Sequence, residues 1–254
     1  MSQLLAVVLP AVMVAVLAGG LGMAVASRGL AGKQLRARWL KFGVYLLVIA
    51  AELLLAASGA LLWLALPVLL IGAFECHQAL ARATPAQVSP GERRAWWLAG
   101  TGVSAGLLGF CQVLPAAVQL VVVLEVLAFD GFSQVSGQLV GRHALVPRLS
   151  PAKTWEGLIG GTAACLLLAV LVRPLLGIPP GLALLLGGFT AALALAGDLG
   201  ASALKRRSGL KDFSRLIPGH GGVLDRFDSL LAVATGWCLL ALVAGLPLPP
   251  SHGG

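Results

Sequence analysis

The chain passes from an apolar run into a dense polar segment between residues 182 and 228. The apolar run is Leu182-Ala-Leu-Leu-Leu-Gly-Gly-Phe-Thr-Ala-Ala-Leu-Ala-Leu-Ala-Gly197, and Asp198 follows it directly. The polar segment is Ser202-Ala-Leu-Lys-Arg-Arg-Ser-Gly-Leu-Lys-Asp-Phe-Ser-Arg-Leu-Ile-Pro-Gly-His-Gly-Gly-Val-Leu-Asp-Arg-Phe-Asp228. Charges at this density remain beside a membrane where water, a substrate or a metal compensates them.

The rest of the chain is strongly apolar. Of its 254 residues, 58% are hydrophobic and 11% are charged, and the mean hydropathy is +0.94. These values exclude a soluble domain of this size and indicate an integral membrane protein. A spanning helix needs roughly 20 apolar residues, although shorter apolar runs can borrow flanking residues. We therefore expect an all-α polytopic transmembrane helix bundle of about eight spans, at 4–26, 42–57, 61–74, 95–113, 116–129, 158–172, 182–197 and 227–244.

The first apolar run, 4–26, differs from an export signal. No basic residue precedes it and a basic cluster follows it, which is the reverse of a secretory signal peptide. We expect it to be a retained helix.

The formal net charge of +8 is placed asymmetrically on these spans. With eight spans, all basic residues except Arg173 fall in connections on one side of the membrane, which we call the basic side. By the positive-inside rule this side is cytoplasmic, which places both termini outside. Such loops also attract anionic lipid headgroups, and that explanation suffices for the first loop. A nucleic-acid partner is not expected, because the cations show no aromatic stacking pattern. The basic side carries Arg28, Lys33, Arg36, Arg38, Lys41, Arg82, Arg93, Arg94, Arg142, Arg148, Lys153, Lys205, Arg206, Arg207, Lys211, Arg215 and Arg226.

Three aspartates lie before the polar segment and at its C-terminal end. Asp198 precedes it, whereas Asp225 and Asp228 open the last apolar run and lie three residues apart, on one face of a helix. Their carboxylates can converge at the cytoplasmic end of two helices. Mg²⁺ prefers such oxygen ligands, taking one or two protein carboxylates and completing its shell with water and phosphate.

Glycines and cations accompany the aspartates. Pro218-Gly-His-Gly-Gly222 offers backbone amides just before a helix N-terminus, where phosphate is favoured. Lys205, Arg206, Lys211 and Arg226 supply countercharge for several phosphates. Metal ligands, amides and cations together predict a phosphoryl or nucleotidyl transfer site.

Each feature also has an ordinary structural explanation. Asp225 and Asp228 can complement a helix dipole, the glycines can form a turn, and Lys205–Arg207 can anchor the chain at the membrane surface. Taken singly, each explanation is at least as good as the functional one. The combination favours function, because an ordinary loop needs no Asp198 at the membrane boundary.

The order of these residues resembles the signature of the phosphatidate cytidylyltransferases, also called CDP-diglyceride synthetases. Gly197-Asp198-Leu199 resembles the segment that leads into the signature, and the resemblance covers residues 130–229. A second block of the family resembles Ser150-Pro151-Ala152-Lys153-Thr154-Trp155-Glu156-Gly157 with Gly160-Gly161. The signature itself matches Ser202-x-x-Lys205-Arg206, Lys211-Asp212 and Pro218-x-His220-Gly221-Gly222-x-x-Asp225-Arg226-x-Asp228.

The resemblance implies a Mg²⁺-dependent membrane enzyme of phospholipid biosynthesis that condenses CTP with phosphatidic acid to CDP-diacylglycerol and pyrophosphate. It implies a catalytic set of Asp198, Asp225, Asp228, Lys205 and Lys211, with the three aspartates as metal ligands. Asp198 and Asp225 lead this ligand set, and Asp228 is a third ligand or supports the others. The implied substrate-binding set is Asp130, Ser150, Lys153, Thr154, Ser202, Arg206, Asp212, His220, Gly221, Gly222 and Arg226.

Some of these positions keep a second interpretation. Ser150 and Pro151 fit the N-cap and first position of a helix, and His220 either donates to a phosphate oxygen or shapes the turn. The sequence also departs from the family's commoner pattern at two places. It has Asp130-Gly-Phe-Ser-Gln134 where an Ala-Tyr pair is often found, and Ala152 where a second lysine is usual. These departures concern nucleotide or lipid recognition and leave the metal-binding end unchanged.

Three glutamates outside the polar segment are not part of the implied catalytic or binding sets. Glu52 and Glu125 lie in or near apolar spans, where an ionisable group indicates function by default. Glu75 lies at a helix end, where an interfacial role is expected.

The resemblance divides the chain into N-terminal transmembrane helices (1–129), a catalytic transmembrane region (130–247) and a tail (248–254). The implied partners are CTP, phosphatidic acid and the bilayer, and a homodimer is one option. The active site would face the cytoplasm from a bacterial inner membrane. Two alternatives stay open: a CTP-dependent enzyme acting on another lipid phosphate or alcohol, and a membrane transporter. A transport path would continue its polar residues toward the midplane, whereas here they cluster at one face.

Overall fold

The computed structural model describes residues 32–217 and 221–245. Within these ranges seven α-helices are joined by short connections, a 3₁₀ turn at Arg173–Leu175 and one small β-hairpin. The hairpin strands are β1 (Ala144–Val146) and β2 (Ser150–Thr154). The helices are α1 (Gly32–Ala57), α2 (Leu62–Arg82), α3 (Pro90–Val113), α4 (Ala116–Val140), α5 (Trp155–Val172), α6 (Pro180–Arg207) and α7 (Val223–Val243).

Six segments in the described ranges are long and apolar enough to cross a membrane. The predicted span 95–113 coincides with α3, which has the length but is less apolar than the other six. The prediction of an all-α polytopic membrane bundle is confirmed, and the predicted span 4–26 and tail 248–254 lie outside the described residues. The six segments are Gln34–Ala57, Leu62–Arg82, Ala116–Val140, Trp155–Leu175, Pro180–Arg207 and Val223–Val243.

Three connections meet at one end of the bundle, which we call the polar end: 83–89, 141–154 and 208–222, of which 208–217 and 221–222 are described. An Arg207 nitrogen lies 3.1 Å from a Glu92 carboxylate oxygen, which joins the end of α6 to the start of α3. Arg206 Nε donates to the carbonyl of Leu149 at 3.2 Å, which joins the end of α6 to the hairpin. In the described ranges, the connections at the other end carry one basic residue, Arg173.

Helix α7 lies in the centre of the apolar core. Phe227, Leu231 and Trp237 on this helix are buried in one cluster with Leu53 of α1 and Phe110 of α3. Since this cluster joins the N-terminal and C-terminal helices, the predicted boundary between residues 129 and 130 does not separate two cores. That boundary falls inside α4, and the functional division it proposed stays a prediction.

Small residues let α4 and α5 approach closely. A Cβ on Gly161 would meet the Phe129 carbonyl and the Ser133 side chain, and one on Gly160 would meet Ser136. Small residues are what permit such backbone contacts between membrane helices. The close approach sets the position of the polar end of α4, where Asp130 lies.

The prediction that a helix begins at Ser150 and Pro151 is wrong. Ser150–Thr154 forms β2, which pairs antiparallel with β1. The helix begins at Trp155 because Thr154 supplies the N-cap, its Oγ1 accepting from the amide of Gly157 at 3.1 Å. Glu156 secures the hairpin by accepting from the amides of Arg142 and His143 at 3.1 and 3.3 Å. A Ser-Pro pair is a good local helix start, but the pairing with β1 overrides it.

Two helices continue beyond the apolar runs that predict them. Helix α4 extends from the predicted end at Phe129 to Val140, and α6 extends from Gly197 to Arg207. Asp130, Asp198 and the first cations of the polar segment therefore lie on helices rather than on loops, which fixes their directions.

Candidate active site

A cavity of about 560 Å³ opens at the polar end, between the end of α6, the 208–222 connection and the start of α7. Its volume falls in the usual range for small-molecule sites. Three of its lining residues are cations and two are acids, so a ligand with several negative charges fits it best. The lining residues are Lys205, Lys211, Asp212, Ser214, Arg215, Ile217, Gly221 and Asp225.

Asp225 is the most heavily bonded acid of the cavity. Its Oδ1 accepts from Lys205 Nζ at 2.6 Å, and its Oδ2 accepts from the amides of Phe213 and Gly222 at 2.8 Å each. Gly221 has φ +79°, and a Cβ there would lie 2.7 Å from the Asp225 carboxylate. This glycine therefore permits both the turn and the close approach of the carboxylate.

Lys205 is held firmly in place. Its side chain is 11% exposed, and its ammonium group lies 5.4 Å from the centre of the Phe213 ring. Phe213 is buried with Leu80 and Val88, from the end of α2 and the connection that follows it. The cation is therefore desolvated and pre-oriented, as a site for phosphate requires.

Lys153 forms a second charged group with three aspartates. It makes an ion pair with Asp198, and its charge also interacts with those of Asp228 and Asp130. Burial lowers the pKa of Lys153, while Asp228 and Asp130 oppose that shift. Because Lys153 lies on β2, the hairpin is the element that brings this cation to the membrane helices.

Close contact between α6 and α7 brings the aspartates of this group together. A Cβ on Gly197 would lie 2.5 Å from the Asp228 carbonyl and 2.6 Å from Ala232 Cβ, so only glycine fits there. Ser229 Oγ donates to Asp130 Oδ1 at 3.1 Å, which ties α7 to α4.

The acids of the two charged groups are the candidate donors for a metal ion. In the two described ranges, no three His, Cys, Asp or Glu side chains are arranged to hold one. Asp198 and Asp225 instead each accept from a lysine. The donors nevertheless fit Mg²⁺, because that ion commonly takes only one or two carboxylates and its other ligands from phosphate and water. Asp198, whose side chain is 32% exposed, is the more accessible of the two.

Arg226 points away from the cavity, although the sequence placed it in the substrate-binding set. Its Nη2 lies 3.7 Å from Glu52 Oε1, and its guanidinium lies 5.2 Å from the Tyr45 ring centre. Nε and Nη2 are buried without a hydrogen-bond partner in the part of the chain that the structure describes. Arg226 therefore faces α1 inside the bundle.

The remaining sequence-predicted residues are spread around the two charged groups. Arg206 donates to the carbonyls of Leu149 and Leu210 at 3.2 and 3.1 Å, and thereby links the hairpin to the cavity wall. Ser202 is buried on α6, and Asp212 is exposed on the cavity rim. His220 lies outside the described residues. Thr154 caps α5, so its hydroxyl is engaged in the fold.

Sequence reasoning missed the contacts of two buried acids with α7. Glu75 reaches the start of α7 from α2, and Glu52 reaches Arg226 from α1. Each of these two glutamates is only 3% exposed. The sequence showed only that each is an ionisable residue in or at the end of an apolar span. That position indicated a function, but it did not indicate which residues of α7 each acid contacts.

Comparison with known proteins gives one family match and several curated relatives. The model described as "Cytidylyltransferase family" matches residues 5–243. A phosphatidate cytidylyltransferase of Haemophilus influenzae is 43% identical over 124 residues, covering 44% of this chain and 41% of the relative. The Brucella suis protein of the same name is 45% identical over 121 residues, covering 46% and 43%. The Mycobacterium bovis protein of that name is 39% identical over 123 residues, covering 47% and 40%.

The matched part of the chain thus spans about two fifths of the length of these relatives. The family model, by contrast, extends from the N-terminal segment to the end of α7, and so includes both charged groups of the polar end. The chain belongs to the cytidylyltransferase family.

Proposed function

We propose that the protein is a phosphatidate cytidylyltransferase, which joins CTP and phosphatidic acid into CDP-diacylglycerol with release of pyrophosphate. One observation carries this proposal: a cation-lined cavity and a cluster of aspartates around Lys153 meet at one end of a membrane bundle. The cavity suits a water-soluble polyphosphate. The aspartates lie on membrane helices, where a lipid phosphate can reach them from the bilayer. The names of the relatives point to the same reaction.

In the proposed reaction an ionised oxygen of the lipid phosphate attacks the α-phosphorus of CTP. A new P–O bond forms there, and the bond to the oxygen that bridges the α- and β-phosphorus breaks, so that pyrophosphate leaves. No general base is required, because the attacking oxygen carries no proton. The barrier lies mainly in bringing two anions together and in stabilising the leaving charge.

The chain's own residues are proposed to act on these charges. Lys205 and Lys211 hold the phosphates of CTP in the cavity, and Lys153 balances the lipid phosphate. Asp225, which the sequence placed in the ligand set, is assigned instead to keep Lys205 oriented through the 2.6 Å contact, because its two oxygens already accept from three donors. Asp198 and Asp228 are the proposed carboxylate ligands of Mg²⁺. Bound Mg²⁺ would neutralise phosphate charge and favour departure of pyrophosphate.

The lipid substrate is tested with a panel. Purified protein in detergent receives labelled CTP and Mg²⁺ with phosphatidic acid, another lipid phosphate or diacylglycerol, and lipid-linked nucleotide is measured. The proposal expects product with phosphatidic acid and little with the others. Preferred use of another lipid phosphate or of diacylglycerol would support the alternative CTP-dependent enzyme. Absence of any lipid product, with solute flux in vesicles, would support the transporter.

The polar end is proposed to face the cytoplasm of a bacterial cell membrane, where CTP is available. Its excess of basic residues supports this orientation. A single cysteine at Ser214, in a background without native cysteines, should be shielded from an impermeant thiol reagent added to intact cells. It should react once the cells are opened. Labelling of that cysteine in intact cells would reverse the orientation.

Lys211→Gln is expected to impair catalysis even in neutral detergent, by about tenfold or more in kcat/KM for CTP. Lys211 lines the cavity beside Lys205, where the phosphates of CTP are proposed to bind, and a cation placed directly against developing phosphate charge acts strongly on it. Arg36→Gln is the control, because Arg36 is exposed on α1 and is screened over roughly 8 to 10 Å at ordinary salt. Rates of CDP-lipid formation for both variants at low and high salt distinguish phosphate binding by Lys211 from a general surface-charge effect. Equal losses that salt suppresses would make Lys211 an ordinary surface charge.

A further inference from the structure

The carboxylate of Glu75 accepts three hydrogen bonds at the polar end. Its Oε1 accepts from Ser214 Oγ at 2.5 Å and from the Val223 amide at 3.0 Å, and its Oε2 accepts from the Leu224 amide at 2.8 Å. Val223 and Leu224 are the first two residues of α7, whose amides have no partner within the helix. Glu75 lies on α2, so a residue about 150 positions away in the chain caps this helix.

Gly222 explains why a distant residue is needed. It occupies the N-cap of α7, where Ser, Thr, Asp or Asn would normally supply an oxygen from its side chain. A Cβ on Gly222 would lie 2.7 Å from both Cδ and Oε2 of Glu75. The Glu75 carboxylate therefore fills the space that an N-cap side chain would take. Gly72, one turn earlier on α2, allows the approach, because a Cβ there would lie 2.9 Å from a methyl group of Leu224.

The capped turn carries the acids of the site. Asp225 follows Leu224 directly, and its Oδ2 bonds the Gly222 amide on the same turn. Asp228 is one turn further along α7. Ser214, the third donor to Glu75, lines the cavity opposite. One carboxylate thus connects the cavity wall, the start of α7 and the turn that bears Asp225.

We infer that Glu75 is a positioning residue for the transfer site: it caps α7 from α2 and holds the 208–222 connection against it, so that Asp225 keeps its orientation toward Lys205. Since its carboxylate already accepts three hydrogen bonds, Glu75 is assigned no contact with phosphate or metal. The inference deepens the proposed function and rests on it for the reaction that the site performs. The placement of the cap is independent of that reaction.

Hydrogen exchange tests the cap without reference to activity. In Glu75→Ala, the amides of Val223 and Leu224 should exchange roughly tenfold faster or more, because bonds to a charged acceptor are lost. Adding Gly222→Ser to this variant should restore much of the protection, since the serine oxygen can cap the helix once the carboxylate is gone. In the wild-type background, Gly222→Ser should instead speed exchange, because its Cβ displaces Glu75.

Steady-state kinetics test the positioning. Glu75→Ala should lower kcat by about tenfold per folded molecule, by misaligning Asp225 and Lys205. Folded protein is counted by gel filtration. Glu92→Gln is the matched control, because Glu92 also caps a helix, through the Ser89 amide at 2.9 Å, but lies outside the cavity. It should leave kcat and exchange at Val223 unchanged.

Two results would overturn the inference: unchanged exchange at Val223 and Leu224 in Glu75→Ala, or faster exchange with normal kcat per folded molecule. If wild-type protein forms no CDP-lipid, the proposed function fails, and the exchange measurements then decide the cap alone. An unchanged exchange pattern contradicts it, and restored protection in the double variant supports it.

Discussion

Asp225→Asn is expected to lower the rate of CDP-lipid formation by about 100-fold or more, which is the usual effect of removing a preorganised charged group from a transfer site. The substitution keeps the volume of the side chain but removes its charge. Lys205, which is 11% exposed, then loses its 2.6 Å ion pair and its fixed orientation. The NH₂ group of asparagine also replaces an accepting oxygen, so it faces a donor that it cannot accept from. Initial rates with labelled CTP and phosphatidic acid measure the loss.

The control for this variant is Glu92→Gln. Both acids lie at the third position of a helix, accept from the N-cap amide and pair with a cation. Glu92 is 42% exposed and outside the cavity, so its variant should retain nearly full activity. Both variants should still insert in the membrane and run as folded protein on gel filtration. Near-normal turnover of Asp225→Asn across a Mg²⁺ titration would rule out the assigned role.

Asp198→Asn is expected to cause a similar loss, of about 100-fold or more at ordinary Mg²⁺ concentrations. Asp198 belongs to the group around Lys153, has a side chain that is 32% exposed, and is one of the two proposed ligands of Mg²⁺. Part of the activity should return at higher Mg²⁺, because a weakened metal site is filled by mass action. The measurement is the initial rate as a function of Mg²⁺ concentration.

Asp198→Glu is the charge-preserving control. It keeps a carboxylate on the same face of α6 and should retain more activity than Asp198→Asn, with a smaller shift of the Mg²⁺ curve. Equal losses in the two variants, with unchanged Mg²⁺ curves, would mean that Asp198 serves only to hold Lys153.

The sequence predicted most of the fold because apolar runs in this chain are long and clearly separated. The helix ends were harder to predict. Asp130 and Asp198 interrupt the apolar pattern, so the runs appeared to stop there. Helices α4 and α6 nevertheless continue, and in the fold Asp130 accepts from Ser229 on α7 while Asp198 pairs with Lys153 on β2. The hairpin was missed because Ser150 and Pro151 satisfy the local rules for a helix start.

The candidate site was predictable in composition but not in pairing. Spacing brought Asp225 and Asp228 onto one helix, and the signature indicated the cations. Sequence gave no indication that Lys205 pairs with Asp225 or that Lys153 joins Asp198, since these contacts cross 20 and 45 positions. The role of Glu75 depends on a contact with a helix about 150 positions away. Such contacts follow from packing, which a residue pattern does not encode locally.

The most direct measurement compares CTP labelled at the α-phosphorus with CTP labelled at the γ-phosphorus. Purified protein is incubated with phosphatidic acid and Mg²⁺, and the lipid is extracted. Cytidylyl transfer predicts that the α-label enters the lipid and the γ-label appears in pyrophosphate, with both reduced by about 100-fold or more for Asp225→Asn. Entry of the γ-label into the lipid, or no lipid label from wild-type protein, would contradict the proposed function.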